Sequence, residues 1–286
     1  MSSVSAFQRI TPHAVTMALC THTLGRSLHV LDETPSTNSA ALALAQDGAP
    51  DGTVVVAESQ TSGKGRLGRR WYSPLGKNLY CSIVLRRVPS ADPVSTWLSW
   101  VPLLSAVAVA RAIQVTSGLR PSLKWPNDIL IEQRKVGGLL CESSGTGTAH
   151  GLVIVGIGLN VNMWRDTFPE DLRDLATSLA AEAGRPFDRA VLLATVLSEL
   201  ELRYDAFMSG ATSEIKHEYA LRCATIRRRV RVDMANGESL EGRAHAIGDD
   251  GSLQITVEHP VGESPRESVV TIRAGDVLHV RKDVNR

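Results

Sequence analysis

The chain alternates between short apolar runs and longer stretches of helical spacing, and it changes character once, near residue 226. At residues 11–19 a threonine precedes Pro12, which predicts a short helix with Thr11 as N-cap and proline in its first turn. Residues 28–32 read as a strand. The Ala/Leu-rich stretch 39–46 reads as a helix halted by Gly48. The β-branched run 53–57, behind the turn Asp51-Gly52, predicts a strand, and residues 79–86 another. Residues 95–117 are apolar almost throughout and predict a long buried helix. Two strands at 128–131 and 135–141, joined by a polar turn, precede a further strand at 152–161. Val191, Leu192, Val196, Leu200 and Tyr204 recur at helical spacing and predict a helix over 188–208.

Beyond residue 226 the pattern is one of short strands, at 230–234, 239–247, 252–257 and 269–273. Asn236-Gly237 and Asp249-Asp250-Gly251 supply turns, and residues 258–267 form a long polar one. This tail predicts a small all-β barrel of the SH3-like kind. The fold class is therefore α+β. Residues 1–226 form a mixed sheet with helices packed on it, opening with a short extension at 1–27, and residues 227–286 form the barrel.

Bulk composition adds mostly exclusions. The 286 residues are 43% hydrophobic and 21% charged with a formal net charge of +1, which gives no overall basicity for DNA or a membrane surface. Cys20, Cys81, Cys141 and Cys223 stand singly, as reduced thiols do, and no histidine has metal-binding spacing. The N-terminus lacks the charged and apolar regions of a secretory signal. The apolar window 97–110 is too short to span a bilayer and contains Pro102. A cytoplasmic protein is expected.

Three clusters carry chemistry. Gly63-Lys64-Gly65-Arg66-Leu67-Gly68-Arg69-Arg70-Trp71 combines glycines, which let the backbone approach an anion, with four cations. It satisfies GxGxxG formally. A dinucleotide fingerprint needs a helix to begin at the third glycine, however, and Arg69-Arg70-Trp71-Tyr72-Ser73-Pro74 does not predict one. Alone, the cluster reads equally as a solvated basic loop. Lys124-Trp125-Pro126-Asn127-Asp128 is a stiff turn in which Asp128 could hold Mg²⁺ beside phosphate oxygens. Lys135-Val136-Gly137-Gly138 sets an ammonium beside minimal backbone crowding. Alone, these two read as a tight turn and a hairpin lysine.

Taken together with Ser36-Thr37-Asn38, Gln60 and Gly156-Ile157-Gly158-Leu159-Asn160, in this order and spacing, the clusters resemble biotin–protein ligases over roughly residues 28–282. The resemblance implies a catalytic domain of class II synthetase-like fold and two reactions. Biotin and MgATP give biotinyl-5′-AMP and pyrophosphate; a lysine of a biotin carboxyl carrier domain then takes the biotin and releases AMP. It further implies that Ser36, Thr37, Asn38, Gln60, Lys64, Gly65, Arg66, Lys135 and Gly138 surround biotin. Arg66, Arg69, Trp71, Lys124, Asn127 and Asn160 would hold the nucleotide, with Asp128 on Mg²⁺. Lys135, Arg66 and Arg69 would stabilise the charge that develops in the reaction. Lys64 stands where many members of the family carry Arg, which keeps the charge and loses the bidentate fork.

Lipoate–protein ligases and octanoyl transferases share this fold but lack the basic loop in this form. A non-catalytic biotin-sensing regulator would not need Lys135, Arg66 and Arg69. About 27 residues before the first strand are too few for a helix-turn-helix domain, so no operator binding is expected. The family includes monomers and homodimers. Self-repulsion among the loop cations predicts a loop that is mobile without ligand. The basic run Ile226-Arg227-Arg228-Arg229-Val230-Arg231 reads as a solvated strand edge, or as a docking surface for an acidic carrier domain.

Overall fold

The computed structural model describes residues 9–86, 94–144, 151–234, 237–259, 266–273 and 275–279. Helix α1 (Pro12–Ala18) starts as expected, with the Thr11 hydroxyl accepting from the Ala14 amide. Seven strands follow: β1 (Leu28–Thr34), β2 (Val54–Gln60), β3 (Leu79–Arg86), β4 (Ser122–Lys124), β5 (Asp128–Ile131), β6 (Arg134–Ser144) and β7 (Leu152–Leu159). They form one sheet in the spatial order β1-β2-β3-β7-β6-β5-β4. β1 and β2 are parallel, with α2 (Thr37–Gln46) between them in the chain, and every other pair is antiparallel.

The central strands read as unbroken apolar runs because both of their faces are covered. Val55, Val84 and Ile154 pack under Ala41 and Ala45 of α2. Their neighbours Val54, Val56, Ile83, Val153 and Val155 face the larger core, built with α3 (Val94–Ser117) and α5 (Arg189–Met208). By length and composition α3 is long and apolar enough to cross a membrane, longer than the window read from the sequence. Most of that apolar stretch is buried inside the molecule instead. Two short helices, α4 (Leu179–Ala183) and α6 (Thr212–Arg222), complete the layer.

A buried ion pair fastens this layer to the chain's beginning. Glu58 Oε2 lies 2.7 Å from Arg189 Nη1, with side chains 1% and 3% exposed. The other Glu58 oxygen accepts from the Ile10 amide at 2.7 Å, and Arg189 also donates to the Asn78 carbonyl at 3.1 Å.

The second sheet contains β8 (Arg229–Asp233), β9 (Ser239–Ile247), β10 (Leu253–His259), β11 (Arg266–Ile272) and β12 (Asp276–His279). Its order is β11-β10-β9-β8-β12, antiparallel throughout. Indole donors join it to the first layer: Trp100 Nε1 donates to the Asp249 carbonyl at 2.9 Å and Trp125 Nε1 to Gly251 at 3.2 Å. Val230 and Val232 are buried while Arg229 and Arg231 point outward, so the basic run is partly an exposed strand face.

Several boundaries differ from the pattern. β2 runs on to Gln60 because polar Ser59 and Gln60 pair with Glu33 and Thr34. α2 begins at Thr37, not at residue 39, because a distant side chain caps it. β4, α4, α6 and β12 were too short or too polar to read. β10 reaches His259 and β11 begins at Arg266, so the polar turn shrinks from both ends. Residues 260–265, and Asn236 of the expected Asn236-Gly237 turn, lie outside the described residues.

Candidate functional site

β2 ends at Gln60, and the basic loop then folds back on itself. The Trp71 amide donates to the Gly63 carbonyl at 2.9 Å and the Gly65 amide to Arg69 at 2.7 Å. Between them Arg66–Gly68 makes a single 3₁₀ turn, with Leu67 and Gly68 at φ 57 and 73. The third glycine of the formal GxGxxG thus serves a left-handed turn and opens no α-helix, which removes the dinucleotide reading. Three of the four cations expected to keep the loop mobile have separate partners. Lys64 Nζ is 3.4 Å from the Ser39 hydroxyl, Arg66 Nη1 3.2 Å from Asn127 Oδ1, and Arg69 is ion-paired with Asp276 of the second sheet. Burial pulls the Arg66 guanidinium below its usual range, opposed by Asp276 and Asp128.

Lys135 owes its orientation to a β-bulge. Asp128 pairs with Gly138 and Ile129 with Gly137, but Leu130 pairs with Lys135, which leaves Val136 as the extra residue. Without the bulge Lys135 would oppose Ile131 and point to the other face. With it, Lys135 Nζ comes 2.6 Å from Asp128 Oδ1 and 5.4 Å from the centre of the Trp71 ring. The residues 172–177 run alongside: the Lys135 amide donates to Leu175 at 2.8 Å, and the Thr177 amide to the Lys135 carbonyl at 2.9 Å.

Two cavities meet here. The first, about 50 Å³, is lined by Ser36, Thr37, Asn38, Gln60, Lys64, Gly65, Arg66, Lys135 and Gly138, the whole set that the resemblance assigns to biotin. Its floor is a glycine strip on β7. A Cβ on Gly156 would overlap Asn38 Oδ1, and one on Gly158 would lie 2.6 Å from the Trp71 ring. Trp71 Nε1 is buried with no hydrogen-bond partner, a donor that an acceptor atom entering this cavity would satisfy.

Two of the residues expected to contact biotin also bond within the protein. Gln60 Oε1 accepts from the Thr37 amide at 2.9 Å and its Nε2 donates to Ser73 at 3.0 Å. It is the cap that starts α2 early. Asn38 Nδ2 donates to the Leu140 carbonyl at 3.1 Å and to Glu142 Oε2 at 2.6 Å, and its Oδ1 accepts from the Ser82 hydroxyl at 2.6 Å. Both amides brace the wall of the cavity with bonds to the protein. Ser82 and Glu142 went unnoticed in the sequence, although a serine within the apolar run 79–85 is the signal of a buried polar partner.

We expect Gly156→Ala to cost about 1–3 kcal/mol, the range for forcing a methyl into a packed site. The new Cβ would push Asn38 off Ser82 and Leu140. Urea unfolding measures the loss, and an unchanged midpoint would mean that the glycine strip is not tightly packed.

The second cavity, about 290 Å³, is lined by Arg66, Arg69, Trp71, Asn127 and Asn160 as expected of a nucleotide site, together with Asp128 and Lys135. Lys124, expected with them, is not among its lining residues. It sits beside His279, whose imidazole is held down to about 4 by burial first and by Lys124 and Arg228 next. Asn160 is largely committed: its Nδ2 donates to Thr177 at 3.0 Å and its Oδ1 accepts from Asn78 at 3.4 Å. The apolar wall of Phe168, Leu172 and Leu175 and the carboxylate of Asp276 were not foreseen.

Asp128, expected on Mg²⁺, is paired with Lys135, and among the described residues no group of three or more His, Cys, Asp or Glu could hold a metal. A lone carboxylate fits Mg²⁺ only as an addition to phosphate oxygens and water.

Comparison with known proteins agrees with this geometry. A family model described as the biotin/lipoate A/B protein ligase family matches residues 30–160. The biotin–[acetyl-CoA-carboxylase] ligase of Mycobacterium tuberculosis is 35% identical over 260 residues, 90% of each chain. The chain belongs to this ligase family. The bifunctional ligase/repressor BirA of Bacillus subtilis is 37% identical over 250 residues, 86% of this chain and 74% of that one. Among solved structures, the biotin protein ligase from Aquifex aeolicus in complex with biotin and ATP matches with a TM-score of 0.72 at 28% identity, covering 89% of this chain and all of that one.

Proposed function

We propose that the protein is a biotin–[acetyl-CoA-carboxylase] ligase: it makes biotinyl-5′-AMP from biotin and ATP and passes the biotin to a lysine of a carboxylase's carrier domain. The observation that carries this reading is the placing of Lys135 and Arg66 where a small polar cavity opens into a larger one with an apolar wall. Biotin occupies the first cavity, its carboxylate towards Lys135, and ATP the second, its adenine against Phe168, Leu172 and Leu175. Lys135 then meets both the attacking carboxylate and the α-phosphate, a point charge where negative charge accumulates. Arg66 and Arg69 hold phosphate oxygens, which for Arg69 requires leaving Asp276. Asn127 and Asn160 contact the nucleotide.

Trp71 closes the biotin cavity and keeps water from the mixed anhydride. Its ring lies on Gly138 and Gly158, so its aromatic face serves biotin's side of the junction as much as the adenine's. Asp128, together with phosphate oxygens, would hold Mg²⁺, which would supply neutralisation of phosphate charge there. Residues 1–226 form the catalytic domain and 227–286 an SH3-like domain. A cytoplasmic location suits the free thiols of Cys20, Cys81, Cys141 and Cys223.

ATP–pyrophosphate exchange with Mg²⁺ and biotin, lipoate or octanoate tests the proposal. Exchange only with biotin is expected. Exchange with lipoate would move the protein to the lipoate branch of the family. No exchange with any acid, in folded protein, would favour a non-catalytic sensor.

A further inference from the structure

β3 carries one serine, Ser82, whose surface is wholly buried. A hydroxyl withdrawn from water needs partners, and this one has two close oxygens. Ser82 Oγ lies 2.6 Å from Asn38 Oδ1 and 2.8 Å from Thr37 Oγ1. The serine has one proton for the two contacts.

Asn38 decides which contact receives it. Asn38 Nδ2 faces the Leu140 carbonyl and the Glu142 carboxylate, both of which accept, so the amide oxygen is the atom turned to Ser82. An amide oxygen brings no proton, and the 2.6 Å contact therefore uses the serine's. The 2.8 Å contact is then closed by the proton of Thr37, with Ser82 as the acceptor. Gln60 Oε1, 3.2 Å from Thr37 Oγ1, is the other oxygen within reach of that proton. With the proton held at Ser82, Gln60 Oε1 accepts from the Thr37 amide and keeps its second lone pair.

We propose that Ser82 is a positioning residue for biotin, one that holds the Thr37 proton and so keeps the Gln60 oxygen open to the ligand, an inference that rests on the ligase reading above. With biotin's carboxylate at Lys135, its ring is left to the end of the first cavity formed by Ser36, Thr37 and Gln60. There the Thr37 hydroxyl, its proton turned away, offers lone pairs only, and Gln60 Oε1 offers another. A cyclic urea carries two N–H donors, one for each. The dithiolane of lipoate and the methyl end of octanoate carry none and would leave both acceptors unpaired. Ser82 is not among the residues that line the cavity and acts through two side chains that are. Glu142 belongs to the same device, because it fixes which way the Asn38 amide faces. Without the Ser82 hydroxyl the Thr37 proton swings to Gln60 Oε1, and one acceptor is lost to the ligand.

Ser82→Ala tests this in ATP–pyrophosphate exchange on the full chain, with biotin and with desthiobiotin, which keeps the cyclic urea and lacks the sulfur. KM for either acid should rise about five- to tenfold, the scale of one hydrogen bond between neutral groups. Both kcat and KM for ATP should stay within about twofold of wild type. Thr37→Val has no proton to misplace, and in that background Ser82→Ala should add less than about twofold. If the alanine variant does not fold, Ser82→Cys replaces it, with a similar volume and a thiol too weak to hold the Thr37 proton, and the same results are expected. An unchanged KM for biotin would overturn the proposal. So would a matching rise in KM for ATP, or an equal fold-loss in both backgrounds, the mark of a serine that only supports the fold. Absence of biotin-dependent exchange in the wild type would sink the ligase reading and this role of Ser82 together, whereas the other contrary results, all obtained with an active wild type, sink the role of Ser82 alone.

Discussion

Replacing Lys135 by alanine is expected to slow formation of the acyl-adenylate by about 10²-fold or more, the scale on which removal of one preorganised charge-stabilising group is felt. The size follows from position. Lys135 is held by Asp128 at 2.6 Å and by the face of Trp71, and it lines both cavities at their junction. Arg66 and Arg69 do not replace its charge, because in the proposed complex both are committed to phosphate oxygens. The variant also leaves Asp128 facing the place where a carboxylate and a phosphate must approach each other. Repulsion then adds to lost attraction. Single-turnover formation of biotinyl-5′-AMP measures the effect, and a rate near wild type would remove Lys135 from the chemistry. Lys135→Arg should recover only part of the rate, since a planar fork does not reproduce a point charge in a groove of glycines.

The largest expected effect on stability lies away from the site, at Arg189→Leu. Glu58 would be left as an uncompensated carboxylate whose side chain is 1% exposed, and breaking a buried pair from one side costs about 3–5 kcal/mol. The damage would spread in two directions. The Ile10 amide rests on the same carboxylate, and the Asn78 carbonyl loses its donor. Asn78 in turn steadies Asn160 and the Val161 amide at the edge of the second cavity. The double variant Glu58→Leu/Arg189→Leu removes both charges and should recover much of the loss, because an apolar pair of similar volume is tolerated where half an ion pair is not. Urea midpoints for the two singles and the double decide it. A double variant no more stable than Arg189→Leu would mean that packing around Arg189, and not the stranded charge, sets the cost.

What could be read from the residues alone divides along physical lines. Elements with a long period were legible: α5 from its spacing, and β3 and β7 from their apolar runs. The grouping of residues around the first cavity was legible too, since glycines, Lys135 and the basic loop are local features. Whatever depended on pairing between distant segments was not. Asn38 meets Glu142 of β6, and Gln60 caps a helix that begins long before it in the chain, and neither bond could be read from the residues. The bulge at Val136 decides which face Lys135 takes, and no spacing rule announces it. Lys124 looked equivalent to Asn127 within one motif. The chain turns between them, and only Asn127 faces the cavities. The wall formed by Phe168, Leu172 and Leu175 comes from a segment of short 3₁₀ turns with no periodicity to detect. Asp276 arrives from the other sheet.

The strand order has a consequence for how the molecule is made. β3 finds its partner β7 only after some eighty further residues, because Leu79 pairs with Leu159. Until the chain has been synthesised that far, β3 has β2 on one side and a bare edge on the other, and its residues from Leu79 to Leu85 are all destined for the interior. Such an edge invites pairing with other chains. The glycines of β7 that form the cavity floor are thus also the last pieces of the central sheet to arrive. A substitution there that delays docking of β7 would lower the yield of folded protein in the cell before it alters any rate measured on what survives.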